Sequence, residues 1–114
     1  MTVQISKISD DFSVAPQISV LDIDFILQSG FKSVINNRPD GEAGDLQPTS
    51  TEIQQAVEGA GMKYAYIPVV NGQLTQAQVD ETAQLLESLP KPILAFCRSG
   101  ARSTNVYMLA LQSS

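Results

Sequence analysis

Residues 93–103 constrain the fold more than any other stretch. Ile93, Leu94, Ala95 and Phe96 form a short apolar run behind Lys91-Pro92, the pattern of a buried strand. Cys97 ends the run. Arg98-Ser99-Gly100-Ala101-Arg102-Ser103 comes next, and from Ala101 the chain reads as helix. Gly100 permits a turn that aims successive N–H groups at one point. This strand, loop and helix start place the chain's one cysteine below a helix N-terminus and between two arginines. Such a setting favours thiolate over thiol and brings a cysteine pKa from about 8.5 into the range of roughly 3.5–7.5. The same N–H groups form an anion cradle. A nucleophile and an anion site in one loop point to attack on an anionic substrate. A lone cysteine at a strand end also reads as a small buried hydrophobe. A structural cysteine, however, has no need of two arginines in the loop behind it.

The rest of the chain alternates strands and helices. Residues 3–8 and 12–14 flank Ser9-Asp10-Asp11 and predict two short strands joined by a turn at a sheet edge. Ser19 caps a helix with Val20, Ile23, Ile26 and Leu27 at helical spacing, and Gly30 fits the position past its end. Residues 31–35 read as the next strand, followed by the polar loop 36–42, which on spacing alone is a solvated turn built by Pro39, Asp40 and Gly41. Thr49 with Glu52, and Thr75 with Gln78, are capping boxes that open two more helices. Residues 63–67 form a strand between them. In the last helix Val106, Leu109 and Ala110 share a face, and Tyr107, Met108 and Leu111 widen it, which predicts a well-buried helix. Residues 1–114 read as one α/β domain with a mostly parallel sheet flanked by helices.

Composition narrows the function. Twelve acidic residues against seven basic ones leave a net charge of −5, which argues against nucleic acid or an anionic membrane as partner. One cysteine excludes an internal disulfide and suits the cytoplasm. The absence of histidine removes Ser-His and Cys-His triads and leaves no zinc set, so no metal or cofactor is implied. No N-terminal stretch has the layout of a signal peptide. No apolar run approaches the ~18 residues of a membrane span. The oligomeric state is not written in the sequence.

Several stretches carry a family likeness: Val14-Ala15-Pro16-Gln17, then residues 30–42 from Gly30-Phe31 through Asn36-Asn37-Arg38-Pro39-Asp40-Gly41-Glu42, then Ile67-Pro68-Val69, and finally Cys97-Arg98-Ser99-Gly100-Ala101-Arg102-Ser103. Over nearly its whole length the chain resembles the bacterial phosphatase-like domain of beta-lactamase hydrolase-like proteins. That resemblance implies a variant of the dual-specificity, tyrosine-phosphatase-like fold. It implies Cys97 as nucleophile and Arg102 as holder of the anion, with Arg98, Ser99, Gly100, Ala101 and Ser103 completing the anion site. It also raises Arg38, Asp40 and Glu42 to neighbours of that site.

Two departures matter. A tyrosine-phosphatase loop carries one more residue between Cys and Arg, and a histidine before the cysteine; here Phe96 stands there and Ser103 takes the arginine's place. The shorter loop resembles the rhodanese Cys-Arg-x-Gly-x-Arg loop, whose chemistry is sulfur transfer. A phosphatase also protonates its leaving oxygen from an aspartate on an upstream loop, and residues 68–75 hold no Asp or Glu. General acid catalysis is worth about 10²–10⁴-fold, and Asp40 or Glu42 is left to supply it. The first reading is a phosphatase-like hydrolase of small anionic phosphate esters, working through a phosphocysteine. The alternatives are a sulfurtransferase with a Cys97 persulfide and a sulfur-containing substrate, and a non-catalytic module binding anions or phosphoproteins.

Overall fold

The computed structural model describes residues 3–113. Five strands form one sheet: β1 (Ser6–Ser9), β2 (Phe12–Ala15), β3 (Ser33–Asn36), β4 (Lys63–Tyr66) and β5 (Ile93–Phe96). Their order is β1-β2-β5-β3-β4. β1 is antiparallel to β2, and every other pairing is parallel. Four helices, α1 (Ile23–Gln28), α2 (Ser50–Gly59), α3 (Gln76–Ser88) and α4 (Ala101–Ser113), cover the sheet.

Alternation along the buried strands splits the core in two. Val34, Leu94 and Phe96 face one side with Ile23 and Ile26 of α1 and Ile53 and Val57 of α2. Ile35, Ile93 and Ala95 face the other with Val106 and Tyr107 of α4 and partly buried Leu85 and Leu86 of α3. Crossovers outward from β2 to β4 thus use one face, and the return to β5 uses the other. The return inserts β5 between β2 and β3.

Both predicted capping boxes close. The Thr49 hydroxyl accepts from the Glu52 N–H, and the Glu52 carboxylate accepts from the Thr49 N–H at 2.9 Å. Thr75 and Gln78 do the same for α3. Three expectations need correction. The first strand begins at Ser6, because Val3 and Ile5 leave the ladder and pack against the α1–α2 side of the core. The helix expected after Ser19 starts as a 3₁₀ turn over Val20–Asp22, and Leu21 is 88% exposed. Met108 and Leu111 are each 48% exposed. The buried apolar residues of α4 are Val106, Tyr107 and Ala110, so its buried face is narrower than its apolar composition suggests.

The parallel register gathers the strand ends. Ala15, Phe96, Asn36 and Tyr66 stand side by side as the last residues of β2, β5, β3 and β4. The segments that leave these strands therefore emerge at one end of the sheet, where ligands of open α/β sheets bind.

Candidate active site

Four segments meet at that end. The 97–100 loop is pinned to β2 through the Cys97 N–H, which donates to the Ala15 carbonyl at 3.4 Å, and through the Arg98 carbonyl, which accepts from the Gln17 N–H at 3.4 Å. Gly100 has φ +95°, a left-handed conformation that L side chains rarely adopt. The turn directs the Gly100 N–H back onto the Cys97 sulfur at 3.1 Å. α4 starts at the next residue, so its first N–H groups open toward the same point.

Cys97 is 1% exposed, beneath the loop. Burial of the sulfur opposes ionisation. The N–H groups of Ser103, Ser99 and Gly100 outweigh that cost and hold the thiol below its ordinary pKa, and the Ser103 hydroxyl adds to them when its proton points at the sulfur.

Above the loop lies a cleft of about 580 Å³. Arg98, Ser99, Ala101 and Arg102 line one side of it, and Arg38, Glu42, Ala43 and Asn71 line the other. The 36–42 loop therefore reaches the cysteine loop, and it is not the solvated turn that spacing suggests. Arg38 is 7% exposed; its Nε donates to Glu42 Oε1 at 2.8 Å and its Nη1 to Gln17 Oε1 at 3.1 Å. Glu42 also takes the Arg102 fork, Nη1 to Oε2 at 2.8 Å and Nη2 to Oε1 at 2.6 Å. Arg102 Nη1 gives its second proton to the Val69 carbonyl at 2.8 Å. A guanidinium has five N–H donors. Three are used here, leaving Nε–H and one Nη2–H on the loop side, where the guanidinium also interacts with the Cys97 sulfur.

Two guanidinium groups on one carboxylate, Arg102 foremost, lower the Glu42 pKa from 4.5 to about 2. Glu42 is therefore a carboxylate at any working pH, and it has no proton to give a leaving group. Asp40 does not face the cleft. Its Oδ1 accepts from the Ser50 N–H at 2.7 Å, at the first turn of α2. Among the described residues lining the cleft, Glu42 is the one acidic side chain, and Asn71 stands on the loop where an acid is expected.

Sequence reading left Gln17, Asn37 and the Val69 carbonyl without roles. Gln17 and Asn37 directly follow the Ala15-Pro16 and Asn36 strand ends, and that position is the signal they carry. Asn37 is 2% exposed and joins Ser103 to the segment after β4. Ser103 lies under the loop rather than on the cleft, at 1% exposure. The Arg98 side chain lines the cleft, and no ion pair to it occurs among the described residues.

The chain is similar to several known proteins. A protein of Agrobacterium fabrum called beta-lactamase hydrolase-like protein is 35% identical over 103 residues, covering 90% of this chain and 24% of its own. The chain spans about a quarter of the length of the curated relatives it matches. A candidate phosphatase from Neisseria meningitidis superposes with a TM-score of 0.83 at 33% identity, over 90% of this chain and 72% of that one. P. aeruginosa TpbA, solved as a Cys-to-Ser variant with phosphotyrosine, shares the fold at a TM-score of 0.68 and 14% identity, over 98% of this chain and 70% of that one. The sequence pattern of the family described as "Beta-lactamase hydrolase-like protein, phosphatase-like domain" spans residues 4–113. The strand-loop-helix around Cys97, the 36–42 loop that covers it and these likenesses agree: the chain belongs to the phosphatase-like domain family of beta-lactamase hydrolase-like proteins.

Proposed function

We propose that this domain hydrolyses small phosphate monoesters through a phosphocysteine on Cys97. The observation that carries the reading is the convergence of loop N–H groups on a buried sulfur, with Gly100 N–H at 3.1 Å, beneath an Arg102 whose outer edge is already held. In the proposed reaction the Cys97 thiolate attacks phosphorus, a P–S bond forms and the P–O bond to the leaving group breaks. Arg102 Nε–H and the second Nη2–H, together with the loop N–H groups, take the phosphoryl oxygens. Water then attacks phosphorus, the P–S bond breaks, and its electron pair returns to sulfur as thiolate. Glu42 and the Val69 carbonyl hold Arg102 in place.

The leaving oxygen departs without a protein acid, since Glu42 is ionised and Asn71 carries no acidic proton. Good leaving groups are therefore preferred, aryl and acyl phosphates over alkyl ones. A structural neighbour holds phosphotyrosine, an aryl phosphate. Beside Arg102 a second hollow, floored by Val69, Leu74, Val106 and Leu109, offers apolar contact to a ring.

The test is phosphate release from p-nitrophenyl phosphate and from phenyl phosphate, with Cys97→Ser as control and thiosulfate loading followed by mass in parallel. The expected result is release that Cys97→Ser abolishes, faster for the better leaving group. Tight vanadate binding without release is the behaviour of a non-catalytic module, and sulfur loading without release is that of a sulfurtransferase. Either outcome sinks the phosphatase reading.

A further inference from the structure

Asn37 ties together three of the segments that build the site. Its backbone N–H donates to the Phe96 carbonyl at 2.9 Å, and its own carbonyl accepts from the Val69 N–H at 3.0 Å. Its Nδ2 donates to the Ile67 carbonyl at 3.1 Å, and its Oδ1 accepts from Ser103 Oγ at 2.8 Å. A main-chain carbonyl can only accept, so Ile67 fixes which end of the amide it meets. The amide oxygen is left facing Ser103, and it too can only accept. It therefore takes the hydroxyl proton, and a hydroxyl has one. The same hydroxyl lies beside the Cys97 sulfur. A proton given to Asn37 is withheld from the thiolate.

We infer that Asn37 is a positioning residue that keeps the Ser103 hydroxyl proton off Cys97, leaving the thiolate to the backbone N–H groups and the Arg102 guanidinium. A thiolate with fewer hydrogen bonds is more basic, and nucleophilicity rises with basicity. The competition for one proton does not depend on the phosphatase reading.

Because Cys97 is the one cysteine of the chain, the ultraviolet absorbance of its thiolate titrates it alone, in intact protein and without turnover. Asn37→Ala is expected to lower the Cys97 pKa by about 0.5–1 unit. Ser103→Ala is expected not to raise it, and Asn37→Ala should add nothing in a Ser103→Ala background. A rise on Ser103→Ala would show that the hydroxyl already donates to sulfur, and overturns the inference. So does an Asn37→Ala variant with unshifted titration, or a shift that persists without Ser103. Should Asn37→Ala fail a thermal-melt check of folding, Ser103→Ala decides alone: a rise overturns the inference, and no rise upholds it. An enzyme inactive on phosphate esters would remove the phosphatase reading and leave this titration as the judge of Asn37.

Discussion

Glu42 brings a carboxylate into a cleft whose other ionised side chains are guanidinium groups. Without Arg38 and Arg102 it would be a poor neighbour for an anion site; with them it is a strut. Its folded pKa is depressed from 4.5 to about 2. A depressed carboxylate contributes stability that is present above its unfolded pKa and lost as pH falls through the folded one. The shift corresponds to a few kcal/mol at most, and a quarter of the side chain meets solvent, so about 1–2 kcal/mol is expected after screening. Glu42→Gln should therefore lose about that much by urea denaturation at pH 7, and the gap from wild type should close as pH falls from about 4.5 toward 2. A gap that stays constant with pH would mean that shape, not charge, makes the contribution. In turnover, Glu42→Gln should lower kcat about 10-fold, because Arg102 keeps its charge and loses its bearing. An acid lost at Glu42 would instead slow poor leaving groups far more than good ones.

At the scale of elements, the same short loop sends two carboxylates to different tasks. Asp40 sits two residues before Glu42, yet it serves α2, adding an acceptor for the Ser50 N–H to the cap that Thr49 supplies. Asp40→Ala should cost about 1 kcal/mol, as a lost cap does, read as a thermal midpoint lower by about 4 °C or more. Its kcat/KM should stay within about twofold of wild type; a tenfold loss would bring Asp40 into the chemistry. The sequence separates these elements well but not these partners. β5, the cysteine loop and α4 are legible because apolar run, glycine and helical stripe succeed one another without a gap. The capping boxes are legible because their partners are three residues apart. The Glu42–Arg102 pair spans sixty positions, and no local rule places one against the other. Strand order supplies that link: β5 enters the sheet beside β3, so the loop leaving one strand meets the loop leaving the other. Loop length and fold point to different relatives. The short Cys97-to-Arg102 spacing resembles rhodanese locally, while the fold around it is phosphatase-like.

Across the whole molecule, charge is sorted. The chain has seven basic residues, and three of them, Arg38, Arg98 and Arg102, line one cleft. An acidic body with a focused positive cleft favours a small anion over a large polyanion. The same sorting leaves no titrating acid among the described residues that line the cleft, and that omission has a kinetic signature. Where a protein acid protonates the leaving group, kcat/KM falls at high pH as the acid loses its proton, giving a bell. Among the described residues lining the cleft, the one carboxyl group is already ionised, and in the proposed reaction the cysteine acts as thiolate. For an aryl phosphate, kcat/KM should therefore climb as Cys97 and the substrate ionise and then run level to about pH 9, without a falling limb. Across aryl phosphates the rate should drop steeply as the leaving phenol becomes more basic, since nothing neutralises the oxygen as it departs. A bell with a falling limb near neutrality, together with a shallow dependence on the phenol, would reveal an acid that moves into the cleft only with substrate bound. That result would redirect attention from Glu42 to the segment around Asn71, the cleft wall that comes from the loop where an acid is expected.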